Sequence, residues 1–172
     1  MKPLPRKCQF APVFGILTGD FDNDNLLDAL LVGNFYGNNP FWGRIDALNG
    51  IFLKGNGNGE FEVKEYTNTG FLVPGDAKAI VEVPVPTGKN LILVSQNQDS
   101  VRSFIRRKDI KSIILGQEDA WAEIIFKDGT KRKQEFYHGS SYLSQTARAL
   151  NLPQGAESYK IFTFRNMGIK SD

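Results

Sequence analysis

The sequence predicts an all-β protein built from short antiparallel strands. Glycine (17 residues) and phenylalanine (13) are enriched among the 172 residues. Glycine and asparagine supply turns, and aromatic side chains fit pleated, half-buried surfaces. Short apolar runs are separated by Gly, Asn and Pro clusters, as strands joined by turns require. No window holds an apolar period of 3.6 long enough to build a helical bundle.

In chain order, residues 26–32 form the first strand candidate, broken by Gly33 and Asn34. Residues 50–54 and 60–66 read as a hairpin around the turn Gly55-Asn56-Gly57-Asn58-Gly59. Residues 79–85, 90–95 and 100–105 follow as strand candidates, the first ended by Pro84 and Pro86. Arg106, Arg107, Lys108 and Asp109 read as a charged linker. Beyond it, residues 112–116, 121–126 and 131–137 have strand character, the last two joined by an Asp128-Gly129 hairpin turn. Residues 144–150 read as a short helix stopped by Pro153, and residues 158–164 as a closing strand.

Composition excludes several function classes. Twenty-one basic side chains stand against 19 acidic ones, a net charge of +2. That balance gives no strong field for nucleic acid or an anionic membrane. The longest apolar stretches are far shorter than the roughly 18 residues a membrane-spanning helix needs. Cys8 is alone, so no intrachain disulfide or cysteine-based metal site exists. The charged N-terminal stretch has no apolar core behind it and is no signal peptide.

The densest chemistry lies in one loop. Asp20, Asp22, Asp24 and Asp28 stand at positions 1, 3, 5 and 9 of the stretch that begins at Asp20. Ca²⁺ takes six to eight oxygen ligands at roughly 2.3–2.6 Å. Carboxylates on alternate residues converge when the backbone curls about a centre. The Leu26 carbonyl supplies a further oxygen, and Asp28 closes the shell from the start of the next strand. The expected metal ligands are therefore Asp20, Asp22, Asp24, Leu26 and Asp28, and the expected ion is Ca²⁺. An EF-hand also begins this way, but it needs Gly at position 6 and Glu at position 12. Asn25 and Leu31 stand there instead. Asn25 still suits a left-handed turn. The plainer alternative is a solvated acidic turn that binds nothing.

One internal echo points to repetition. Residues 19–32 align without gaps on residues 81–94, both running from a turn-rich loop into an apolar strand. The offset of 62 exceeds most propeller blades but fits one with an insertion. On this reading the second copy has lost its acids, and proline takes two of their positions.

The stretches GDFDNDNLLDALLVGN and GIFLKGNGNGEFEV resemble the FG-GAP/VCBS repeats of β-propeller blades, whose loops carry D-x-D-x-D-G-x-x-D and bind Ca²⁺. Asn25 departs from the usual Gly. Residues 122–148, AEIIFKDGTKRKQEFYHGSSYLSQTAR, resemble the ASPIC/UnbV domain. Phe126-Lys127-Asp128-Gly129 replaces its W-P-D-G turn, while Gly139 and Tyr142-Leu143-Ser144-Gln145 match. The resemblances imply propeller-blade-like antiparallel sheets, in a partial propeller or a sandwich, followed by a small β-rich C-terminal domain. They divide the chain into a blade region at 1–107 and a C-terminal domain at 108–172. They further imply the end of a longer secreted, periplasmic or surface protein of the cartilage acidic protein type, its signal peptide lying in the preceding part. The implied activity is binding or adhesion to a protein or carbohydrate, without catalysis.

Other constellations favour structural roles. His138 is the single histidine, best read as an ordinary hydrogen-bonding group. Ser140, Ser141 and Ser144 lie near it without a G-x-S-x-G elbow. The triplets at 106–108 and 131–133 read as solvated basic faces. Phe35, Tyr36, Phe41 and Trp42 form either an aromatic lid over the blade core, the favoured reading, or an exposed binding surface. The competing functions are a carbohydrate-active enzyme using that loop with Asp46 or Glu60, and a purely structural cap closing a larger propeller.

Overall fold

The structure is a computed structural model that describes residues 2–140, 142 and 144–165. Ser141, Leu143 and the end of the C-terminal domain, residues 166–172, lie outside the described residues. The described residues are all-β, with twelve strands in four antiparallel sheets and none closed into a barrel. No helix among them is long and apolar enough to cross a membrane.

The first sheet is a four-stranded meander: β1 (Val13–Gly19), β2 (Asp28–Gly33), β3 (Ile51–Gly55) and β4 (Phe61–Lys64). Every residue of β2 is buried, because both faces of this strand are covered. Leu30 and Val32 face one core with Leu17, Val73, Ile80 and Val94. Ala29 and Leu31 face the other with Cys8, Leu48, Ile51 and Leu53. That split follows from the two-residue period of a strand. Gly33 is required here, since a Cβ would sit 1.9 Å from the Pro12 carbonyl oxygen.

The second sheet is β5 (Ala77–Val83), β6 (Leu91–Gln96) and β7 (Arg102–Ile105). It shares the core of Leu17, Leu30, Val32, Ile80 and Val94 with the first. The internal echo has a structural counterpart, since β2 and β6 each occupy the second position of their sheet.

The remaining strands form a third core around Leu115, Ala122, Ile124, Leu150 and Ile161. β9 (Asp119–Phe126) pairs with β10 (Lys131–Glu135) and with β12 (Ala156–Thr163), while β8 (Lys111–Ile114) pairs with β11 (Ala149–Leu152). Among the described residues, no pairing between the named strands crosses from residues 13–105 to residues 111–163.

Four sequence expectations need correction. Residues 144–150 are not helical: Ala149–Leu152 is a strand, register-paired with β8 through Leu150 and Ile113. Leu150 is fully buried there, and a strand partner outweighs the helix propensity of a short window. Strand β1 was not anticipated, and Tyr66, the last residue of the expected second hairpin strand, instead begins one helical turn, Tyr66–Thr69. Within the expected 106–109 linker Arg106 is not solvated, being 6% exposed, while residues 107–109 are exposed. The aromatic loop is no lid at its tip: Phe41 and Trp42 are 97% and 84% exposed, although Phe35 and Tyr36 are half-buried.

Candidate metal centre

The loop between β1 and β2 is shaped by its own carboxylates. Asp20 accepts from the Asp24 amide at 3.1 Å and the Asn25 amide at 3.0 Å. Asp24 Oδ1 accepts from the Leu26 amide at 2.8 Å. Asn23 and Asn25 take positive φ, 66° and 68°, as the position of Asn25 in the motif predicted. Asp28 begins β2 and accepts from the amides of Phe21 at 2.9 Å and Gly55 at 3.0 Å. Gly55 is glycine for a reason, since a Cβ would lie 2.0 Å from the Leu27 carbonyl oxygen.

This curl gathers three of the predicted acids. Asp20, Asp22 and Asp28 each offer a carboxylate oxygen within 4.8 Å of the other two. Oxygens on a Ca²⁺ shell of the usual radius lie at most about 4.6–5.2 Å apart, so the spacing suits that ion. Asp24 stands at the rim, 2.7 Å from the Lys54 ammonium, which also bonds Asp22. Leu26 is half-buried beside Asp24, to which its amide donates.

The electrostatics divide the acids in two. Burial pushes the carboxyls of Asp20 and Asp28 up from the ordinary value, against the pull of the amide hydrogen bonds. The neighbouring charges of Asp22 and Asp24 raise both further. Burial also acts on Asp24, but hydrogen bonds from Lys54 and the Leu26 amide overcome it and hold that carboxyl low. Lys54 is itself raised above the usual lysine range, by its hydrogen bonds to Asp22 and then Asp24. Sequence reasoning missed Lys54. It sits 26 residues beyond Asp28 on β3, and only the meander brings it to the loop.

The second sheet holds an informative counterpart. In the alignment of 19–32 with 81–94, Glu82 stands at the position of Asp20 and Asn90 at that of Asp28. The second copy has therefore kept one acid, contrary to expectation. Glu82 and Asn90 are buried, as are Asp20 and Asp28. The Arg106 guanidinium bonds Glu82 Oε1 at 3.3 Å, and Asn90 Nδ2 bonds the same oxygen at 3.0 Å. Arg106 also donates to the Asp20 carbonyl oxygen and lies 5.0 Å from the centre of the Phe21 ring. The second position thus carries its own buried cation. At the first, Asp20 and Asp28 form no ion pair among the described residues and hold only amide N–H groups.

Residues 111–163 close over both positions. The Gly155 amide bonds Asn25 Oδ1 at 2.9 Å, and Asn151 Nδ2 bonds Glu82 Oε2 at 2.9 Å. Thr146 Oγ1 bonds both the amide and the carbonyl of Glu82. Arg132, expected on a solvated face, is half-buried, with Nη1 3.3 Å from the Asn25 carbonyl oxygen. His138 Nε2 meets Arg148 Nη1 at 2.6 Å. Glu60 lies exposed against Lys2 and Asn56, and Asp46 is exposed. No protein-family model matches the chain, and no curated protein matches it.

Proposed function

We propose that the chain is a non-catalytic, Ca²⁺-stabilised interaction module, related to FG-GAP/VCBS blades and the ASPIC/UnbV domain, that acts outside the cytoplasm. The reading rests on one observation: buried Asp20 and Asp28 converge with Asp22 within 4.8 Å, while Glu82, the counterpart of Asp20, is paired with the buried Arg106. An ion at the first position does there what the guanidinium does at the second. Asp20, Asp22 and Asp28 would hold it, with Asp24 and the Leu26 carbonyl completing the shell. The ion supplies charge and rigidity, and no chemistry. The solvent-exposed pair Phe41 and Trp42 supports a contact surface for a protein or carbohydrate, because large aromatic side chains seldom stand fully in water without a partner.

A second reading has its own support. Lys54 already pairs with both Asp22 and Asp24, so the loop works as an acidic turn with a built-in counter-ion. Calorimetric titration of Ca²⁺ into EDTA-stripped protein separates the two. The metal reading predicts saturable binding, with a dissociation constant of roughly 0.1–1 mM as in extracellular modules, and its loss in Asp22→Asn. No binding up to about 10 mM, far above that range, would leave the Lys54 reading standing.

A further inference from the structure

A cleft of about 510 Å³ runs between β1 and β10, where residues 111–163 meet the first sheet. Its walls include Arg106, Arg132 and Arg148. Arg106 is satisfied by Glu82 and the Asp20 carbonyl oxygen. Arg148 meets His138 Nε2 and donates to the Gly116 and Asp119 carbonyl oxygens, whereas Arg132 has far less. Arg132 and Arg148 form no ion pair with a carboxylate among the described residues, and each has a buried Nε without a hydrogen-bond partner. Arg132 makes one long hydrogen bond, and its charge otherwise rests near the Phe126 ring at 5.2 Å. Burial lowers its pKa, opposed by the charge of Asp20.

We propose that this cleft binds an oxyanion, the carboxylate or sulfate of an acidic sugar, received by the Arg132 guanidinium. A half-buried guanidinium without an acid partner is a desolvated charge, and an oxyanion relieves that cost. The planar fork of arginine matches a carboxylate or sulfate with two parallel N–H bonds. Lys133, also in the wall, is already paired with Glu135 at 2.7 Å and adds little. The rest of the lining suits the body of a sugar. Ile16, Leu27 and Tyr137 offer partly exposed apolar surface, while Thr18 and Gln134 offer hydroxyl and amide groups. The volume lies within the range of small-molecule sites, about 300–1,000 Å³.

The test is calorimetric titration in EDTA, which excludes Ca²⁺ bridging. The probes are digalacturonate, its neutral methyl ester and a sulfated chondroitin disaccharide. At least one acidic sugar binds, and the tighter of the two tells uronate from sulfate as the group received. The ester binds at least about tenfold more weakly, the scale of one lost charge-assisted contact. Arg132→Met weakens binding by a similar factor, and Arg132→Lys falls between, keeping charge without the fork. Absence of binding by both acidic sugars up to about 10 mM overturns the proposal, as does equal affinity for acid and ester. Should Arg132→Met fail to fold, Arg132→Lys decides, and unchanged affinity in that variant overturns the proposal.

Discussion

The Gly155 amide donates to Asn25 Oδ1 at 2.9 Å, joining residues 130 positions apart. Asn25 holds φ at 68° and so meets the loop's need for a left-handed residue. Its side chain does something glycine could not, fastening the loop to the turn that precedes β12. A Cβ on Gly155 would lie 2.8 Å from that side chain, so the contact is close on both sides.

Asn25→Gly keeps the backbone conformation and loses the bond, which should cost about 1 kcal/mol of stability. Asn25→Ala loses the bond and also forces alanine into the left-handed region, adding about 1 kcal/mol or more. Urea unfolding should rank wild type above Asn25→Gly and that above Asn25→Ala. Equal stability of all three would remove the contact from the account.

Lys54 is paired with Asp22, and a metal bound as proposed would have to displace it. Lys54→Met should lower the melting temperature slightly in EDTA, because exposed pairs contribute at most about 1 kcal/mol. The same variant should bind Ca²⁺ more tightly, having lost the competitor. Calorimetry on wild type and variant measures both effects, and weaker Ca²⁺ binding by the variant would contradict the prediction.

On the proposed reading, protons and a bound cation would compete for Asp20 and Asp28. Their carboxyls are raised, so their contribution to metal-free stability is full below the ordinary value of 3.8 and is lost as pH rises through the raised values. Asp24 is lowered and acts oppositely, stabilising above the ordinary value and losing that effect as pH falls through its own. A bound cation needs ionised ligands. The melting-temperature gain from Ca²⁺ should therefore shrink from roughly pH 7 toward pH 4. A gain independent of pH over that span would point away from these carboxylates.

Arg106 and Glu82 are both buried, with side chains 4% and 6% exposed. Arg106→Met leaves Glu82 buried with only amide and hydroxyl partners, and should cost about 3–5 kcal/mol. Arg106→Met combined with Glu82→Gln should cost clearly less than the sum of the two single changes. Additive losses in a double-mutant cycle would show that the two side chains act independently.

Much of the fold was legible because strands announce themselves by apolar runs between turn residues. Residues 121–126 and 131–137, around Asp128-Gly129, lie close to the observed β9 and β10. β1 was missed because VFGILTG carries no turn signal of its own, and its pairing with β2 is decided by burial. β11 was missed because its partner β8 lies some 35 residues back, a pairing no local pattern records. In the candidate site, the spacing of the aspartates revealed the loop and the left-handed Asn25. It could not reveal Lys54, Arg106 or Gly155, which reach the two loop positions only through tertiary packing. Nor could it tell that Phe41 and Trp42 face water, because an aromatic in a Gly- and Asn-rich loop reads alike in or out.

Thermal unfolding in excess EDTA and across a Ca²⁺ series, with Asp22→Asn beside wild type, tests the metal centre most directly. At free Ca²⁺ about 100 times the dissociation constant, wild type should gain roughly 2.7 kcal/mol, and the variant should gain little. A melting temperature unmoved by Ca²⁺ up to about 100 mM, roughly 100 times the weakest constant expected, in variant and wild type alike, would contradict the metal centre and leave an acidic turn paired with Lys54.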